Sequence, residues 1–177
     1  MNHSEPVACR VVSEWTGTND SDGAWKPDNS AVSNMVQTAG YEYDADGNMV
    51  ESTIYASSSV SYVTQYQYDW RNRLTDSRGP DDVATKTTYD NLGNATLIET
   101  YADADHDFVI DSGELRGKAE RLYDELGRVY HTSTYEVESG AATDWLESNV
   151  WYNARGMVIK TADSSGLFSK GNLGTQY

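Results

Sequence analysis

The sequence predicts an all-β fold, an antiparallel meander of repeated β-hairpins, and three observations lead to this prediction. A short turn motif recurs five times, and tyrosine-containing runs that alternate between polar and apolar residues adjoin it. Long stretches of apolar residues at helical spacing are missing from the 177 residues. The chain is therefore an array of one small unit and not a sequence built around a single pocket.

Each copy of the motif has the residue types that close a β-hairpin. An Asp or Asn, favoured at the first position of a type I turn, is followed three residues later by Gly or Asn, which tolerate positive φ. A Tyr precedes the turn and an apolar residue follows it, as strand alternation requires. The five motifs begin at Tyr43, Tyr68, Tyr89, Tyr123 and Tyr152.

The spacing of the motifs predicts the size of the unit. Successive motif tyrosines are 25, 21, 34 and 29 residues apart, so a basic unit of about twenty residues holds two strands and two turns. The third and fourth intervals contain insertions. Arg73 and Arg128 directly follow their turns, and we expect them to pair with the turn carboxylates or to stack on Tyr.

The ordered motif Tyr-Asp-x-x-Gly-(Asn or Arg)-apolar resembles the YD repeat, also called the RHS repeat, of large bacterial surface and toxin proteins and of animal teneurins. The resemblance covers roughly residues 41–177. It implies a segment of a β-sheet spiral, which in complete proteins winds into a hollow shell around a C-terminal cargo. Five repeats are too few to enclose a cargo, and the Asp-Pro self-cleavage segment of such shells is missing. The remainder of a larger repeat protein is therefore the expected partner.

The chain divides into two regions on this basis, and we expect them to form one structural unit. Residues 1–40 lack the motif, carry Trp15 and Trp25, and are predicted to supply irregular or edge strands beside the first hairpin. Residues 41–177 form the hairpin array. A piece of a spiral has unpaired strand edges, so self-association through the edges is expected unless residues 1–40 and 167–177 cover them.

Composition restricts the partners. Acidic residues outnumber basic ones 28 to 13, and the formal net charge of -15 disfavours nucleic acid, because phosphate binding needs Lys and Arg. No apolar run has the length of a membrane span, so no membrane insertion is expected, and no signal peptide is recognisable in this chain. The single Cys9 excludes an internal disulfide. Glycans and other proteins stay open as partners.

The strongest candidate site is an acidic insertion at residues 103–114, inside the longest interval. Ca²⁺ takes roughly six to eight oxygen ligands, and alternating carboxylates on a curling backbone deliver them to one point. The insertion resembles the calcium loop of EF-hand proteins, and it has an oxygen donor at every ligand position of that loop. The predicted Ca²⁺ ligands are Asp103, Asp105, Asp107, Val109 through its carbonyl, Asp111 and Glu114.

The insertion departs from this resemblance at its sixth position, where Phe108 replaces the Gly of a sharp turn, and strand-like segments flank it. We therefore expect a lone loop that binds Ca²⁺ weakly, with a dissociation constant on the order of 10⁻⁴ to 10⁻³ M. The bound ion would hold the insertion in one conformation. The alternative is a solvated acidic loop without a fixed ion. A second acidic stretch, residues 19–23, consists of turn-forming residues, and we interpret it as a turn rather than as a metal site.

These observations predict a non-catalytic structural or scaffold segment of a bacterial cell-surface or secreted YD-repeat protein, located outside the cell. The alternative is a carbohydrate-binding or adhesion module that uses exposed Tyr and Trp side chains. A hydrolase with two convergent carboxylates is a third interpretation. No nucleophile turn and no phosphate-binding glycine pattern is recognisable, so we do not expect an enzyme.

Overall fold

The computed structural model describes residues 10–17, 35–165 and 173–176. The regular structure of these residues is β-strand, and the paired strands are antiparallel neighbours in sequence. The predicted all-β meander of hairpins is therefore confirmed. Where the structure describes the chain, it contains no helix with the length and apolarity needed to cross a membrane. The acidic stretch 19–23 and Trp25, both singled out above, lie outside the described residues.

The chain forms two compact units, residues 1–66 and residues 67–177. In the first unit the described strands pair in sequence order, and Trp15 lies on the first of them. The separate role predicted for residues 1–40 stays a prediction. The strands of this unit are β1 (Ser13–Gly17), β2 (Met35–Tyr43), β3 (Met49–Ser57) and β4 (Val60–Tyr68), which ends just past the boundary.

The second unit contains the longer run of hairpins, again with each strand paired to its neighbours in sequence. The insertion at residues 103–114 connects its third and fourth strands. These strands are β5 (Leu74–Arg78), β6 (Val83–Tyr89), β7 (Ala95–Ala102), β8 (Leu115–Tyr123), β9 (Val129–Glu138), β10 (Ala141–Tyr152), β11 (Val158–Ser165) and β12 (Leu173–Gln176).

The five motif turns have the predicted geometry. In each turn the N–H of the fourth residue donates to the carbonyl of the Asp or Asn that opens the turn, at 2.9–3.2 Å. The fourth residue has a positive φ in all five turns, and Asn72 adopts a φ of 59° where the others have Gly. These fourth residues are Gly47, Asn72, Gly93, Gly127 and Gly156. The turn chemistry read from the sequence is therefore confirmed.

The carboxylate that opens a turn is held through both of its oxygens. At Asp124, Oδ1 accepts the backbone N–H groups of Leu126 and Arg128 at 2.9 and 3.0 Å, and Oδ2 accepts Arg128 Nε at 2.7 Å. The bond from the Arg128 side chain is the largest cause that lowers the pKa of Asp124. The same side-chain clamp recurs in the pairs Asp44–Asn48, Asp69–Arg73 and Asp90–Asn94.

The motif Tyr ties its hairpin to the preceding one. Its hydroxyl donates to the carbonyl of the first strand residue after the preceding motif turn, at 2.7–2.9 Å, in the pairs Tyr89–Leu74, Tyr123–Ala95 and Tyr152–Val129. The guanidinium groups of Arg73 and Arg128 lie 4.6 and 4.4 Å from the ring centres of the next motif tyrosines. Each Arg therefore has both expected roles, the carboxylate pair and the Tyr stack.

Few side chains of the described residues are fully buried. Tyr101 and Asp103 are the largest, each with 0% of its surface exposed, and they lie where the insertion joins β7. Most strand side chains are only half-buried, and some apolar ones are largely exposed, such as Leu146 at 61%. The largest buried groups of the described residues therefore lie at the junction between β7 and the insertion.

Candidate metal site in the inserted loop

Hydrogen bonds anchor both ends of the insertion to the sheet. The N–H of Asp103 donates to the carbonyl of Asp82 at 2.7 Å, in the turn between β5 and β6. His106 Nε2 lies 2.8 Å from Asp82 Oδ1, and the N–H of Ala102 donates to the carbonyl of Glu114 at 2.9 Å. The loop therefore leaves and rejoins the sheet at one place.

Asp103 organises the loop from a fully buried position. Its Oδ1 accepts the backbone N–H groups of Asp107 and Phe108, both at 3.1 Å. Its Oδ2 forms an ion pair with Arg78 Nη1 of β5 at 2.8 Å, and the two side chains are 0% and 9% exposed. Because both charges are shielded from water, removing one partner would cost about 3–5 kcal/mol.

Phe108 adopts the backbone conformation for which Gly is usual at the sixth position. Its φ is 61°, in the left-handed region that costs a residue with a side chain about 1–2 kcal/mol. The Arg78 guanidinium lies 5.0 Å from the Phe108 ring centre, and Lys86 Nζ donates to the Phe108 carbonyl at 2.7 Å. These contacts offset the strain, so the departure from Gly does not prevent the turn.

The structure brings together three of the predicted ligands. One carboxylate oxygen from each of Asp103, Asp105 and Asp107 lies within 4.8 Å of the others, and Asp105 and Asp107 are exposed. Asp111 and Glu114 lie outside this group, and Glu114 Oε2 accepts the N–H of Asp111 at 2.9 Å. The three grouped carboxylates are the hard oxygen donors that Ca²⁺ takes. The full six-residue ligand set stays a prediction.

Val109, predicted to offer a carbonyl, is tied to the first half of the loop. Its N–H donates to Asp107 Oδ1 at 2.7 Å, and the Asp107 side chain is exposed. A cation held by the three grouped carboxylates would complete its coordination with water or with the second half of the loop. The residues present therefore fit a hard cation in part.

Sequence reasoning missed the polar groups of the sheet beneath the loop. Lys86 Nζ lies 3.3 Å from Asp76 Oδ1 in the neighbouring strand, and Lys86 also reaches the loop. The Tyr101 hydroxyl is buried without a hydrogen-bond partner. Burial and the nearby Asp76, Asp103 and Asp107 carboxylates raise the pKa of Tyr101. Only the strand register brings these groups together, so no local motif could have found them.

A row of charged side chains crosses the second unit on the same sheet face. The register places Asp76, Lys86, Glu99 and Lys118 opposite one another on four successive strands, so that the sign of the charge alternates. Lys118 Nζ also lies 3.0 Å from Glu120 Oε1. This row stabilises the sheet through cross-strand pairs.

The row continues into an aromatic pair on β9 and β10. The ring centres of Tyr135 and Trp145 are 6.0 Å apart. The Tyr135 hydroxyl donates to Glu120 at 3.0 Å, and Trp145 Nε1 donates to Glu147 at 2.9 Å. The polar atoms of both aromatic residues thus have partners within the protein. A carbohydrate-binding role and a hydrolase role both stay predictions.

Comparisons with known proteins found similar solved structures only. No family model and no curated protein matches this sequence. Similar solved structures include the crystal structure of TcdB2-TccC3-Cdc42, with 17% identity and a TM-score of 0.45 over 79% of this chain. Another is the crystal structure of TcdB2-TccC3-TEV, with 15% identity and a TM-score of 0.45 over 80% of this chain. This chain spans 9% of the length of either chain. Similarity at this level assigns no family.

Proposed function

We propose that this chain is a non-catalytic scaffold segment of a larger, extracellular or surface-exposed YD-repeat protein. The main support for this proposal is that the motif side chains form hydrogen bonds within and between the repeats. The turn Asp closes its own turn, Arg or Asn clamps that Asp, and the hydroxyls of Tyr89, Tyr123 and Tyr152 bind the preceding hairpin. The conspicuous residues of the sequence are therefore engaged in joining one repeat to the next.

Exposed apolar side chains support the proposal that further chain packs on this segment. Leu146 and Trp151 lie an odd number of residues apart on β10, so their side chains point to opposite faces of the sheet. They are 61% and 42% exposed. An antiparallel sheet usually leaves only one face to water, so apolar exposure on both faces suits a segment that a larger protein covers.

Tyrosine hydroxyl deletions test the scaffold role. Tyr152→Phe removes the bond to the Val129 carbonyl, and we expect a loss of about 0.5–1.5 kcal/mol in urea unfolding. The control is Tyr130→Phe, which changes a side chain that is 41% exposed and should leave stability unchanged. If Tyr152→Phe is as stable as the control, the motif tyrosines do not join repeats and a binding platform becomes the better interpretation.

We also propose that the insertion binds one Ca²⁺ weakly and that the ion stabilises the scaffold. The grouped carboxylates of Asp103, Asp105 and Asp107 support this proposal, as does the left-handed turn at Phe108. The buried Arg78–Asp103 ion pair closes the loop without a metal, which favours a modest contribution from the ion. Calcium outside cells reaches the concentration range that such weak loops require.

Calorimetric titration and thermal unfolding with Ca²⁺ or EDTA test the calcium site. At Ca²⁺ tenfold above the dissociation constant, linkage adds about 1.4 kcal/mol, a rise in Tm of about 3–6 °C for a chain of this size. The variant Asp105→Asn with Asp107→Asn should lose both the heat and the shift. A matched control, Glu125→Gln with Glu136→Gln, removes the same charge from exposed positions and should retain them. No heat and no shift at about 10 mM Ca²⁺ would leave a solvated acidic loop.

A further inference from the structure

The Arg78 guanidinium contacts Asp103, the buried member of the three grouped aspartates. Asp103 Oδ1 already accepts two backbone N–H groups, so Oδ2 is the oxygen with most capacity for a cation. Arg78 Nη1 lies 2.8 Å from this Oδ2, and the contact is buried. The Phe108 ring lies 5.0 Å from the same guanidinium and holds it in place.

A buried hydroxyl lies on the same sheet face as Arg78. The Tyr101 side chain is fully buried, and its hydroxyl has no hydrogen-bond partner. A buried hydroxyl without a partner is unusual, and the strand register places Arg78 and Tyr101 on either side of Ala84. Lys86 lies close to Asp76, which leaves Arg78 as the cation directed at Asp103.

We propose that Arg78 is a built-in counter-ion that closes the loop without metal and sets the affinity of the loop for divalent cations. This inference rests on the proposed calcium site. The grouped aspartates carry three negative charges, and Arg78 reduces the local total to two. A divalent cation must displace the guanidinium from Oδ2 or bind beside it against charge repulsion. Arg78 therefore keeps the affinity low and the loop ordered in both states.

Calorimetric titration of the full chain with Ca²⁺ tests this role. The variant Arg78→Met keeps the aliphatic stem and removes the charge, and we expect it to bind Ca²⁺ at least about tenfold more tightly than the unchanged protein. Its Tm without calcium should fall, and Ca²⁺ should restore it. Arg78→Lys keeps a cation near Asp103 and should stay within about threefold of the unchanged affinity. The control Arg128→Met breaks an Arg–Asp pair in a motif turn, which is more exposed, and should not alter calcium affinity.

The outcomes separate this inference from the calcium proposal. If the unchanged protein binds Ca²⁺ and Arg78→Met binds no more tightly, Arg78 does not govern the site, but the calcium site stands. If only Arg78→Met binds, Arg78 is the sole counter-ion of the native loop and the calcium proposal fails. If neither binds, both are wrong. Should Arg78→Met be unfolded without metal, refolding on addition of Ca²⁺ supports the inference, and failure to refold at about 10 mM overturns it.

Discussion

Replacing Tyr101 by Phe should stabilise the protein. The Tyr101 side chain is 0% exposed and its hydroxyl has no hydrogen-bond partner. Burying an unsatisfied hydroxyl costs about 1–3 kcal/mol, and Phe retains the ring volume, so the substitution leaves no large cavity. We expect a gain of about 1–2 kcal/mol, which for a chain of this size corresponds to a rise in Tm of about 2–8 °C.

Urea unfolding and thermal unfolding followed by circular dichroism measure this gain. The matched control is Tyr135→Phe, because the Tyr135 hydroxyl donates to Glu120 Oε2 at 3.0 Å. That bond lies at a partly exposed position, so its loss should lower stability by less than about 1 kcal/mol. The two substitutions remove the same atom and should change stability in opposite directions.

A loss of stability in Tyr101→Phe would refute this reasoning. It would show that the hydroxyl has a partner in solution, either an ordered water or an ion beneath the loop. Asp76 Oδ1 is a buried oxygen that forms an ion pair with Lys86 Nζ at 3.3 Å, and the Asp76 charge helps to raise the pKa of Tyr101. It would then be the other end of that bridge.

Three further predictions concern the turns. Hydrogen bonds from the clamping side chain lower the folded-state pKa of Asp90 and Asp124. The two carboxylates therefore stabilise the folded state fully above their unfolded pKa of about 3.9, and this stabilisation is lost as pH falls through the lower folded-state pKa. The urea midpoint should therefore be flat above about pH 5 and fall below about pH 4, less steeply in Asp124→Asn; a midpoint that rises on acidification would contradict this. Gly93→Ala should cost about 1 kcal/mol, because φ is +96° and no atom lies within 4 Å of the added Cβ. Gly140→Ala should lower the free energy of unfolding clearly more in the same urea assay, because its Cβ would collide with the Gly113 backbone. Equal losses in the two variants would show that backbone strain alone, and not the collision, determines the loss.

The fold could be predicted from the sequence because the residue preferences that specify it act between neighbouring residues. An Asp that opens a turn and a Gly three residues later act within one turn, and the structure confirms this at all five sites, including the one where Asn72 replaces Gly. The alternation of strand residues likewise acts over neighbouring positions. The position of Arg73 and Arg128 directly after their turns predicted a carboxylate pair or a Tyr stack, and the structure shows both contacts.

The sequence predicted the closeness of the first three aspartates, but not the arrangement of the second half of the loop. Asp103, Asp105 and Asp107 alternate along the loop, and local curling is enough to gather them. Asp111 and Glu114 bind to one another instead, through the bond from the Asp111 N–H to Glu114 Oε2. Whether the second half of the loop turns inward depends on contacts with other strands, about which the loop sequence contains no information.

The sequence by itself therefore determined the repeat, its turns and the strand alternation, since these depend on backbone preferences and hydrogen bonds within about five residues. The tertiary structure decided the surroundings of the acidic loop. Arg78 lies 25 positions before Asp103, and Lys86 is 22 positions before Phe108. Strand pairing alone brings these groups into contact. The charge of each group is visible in the sequence, but its partner depends on the register of β5, β6 and β7.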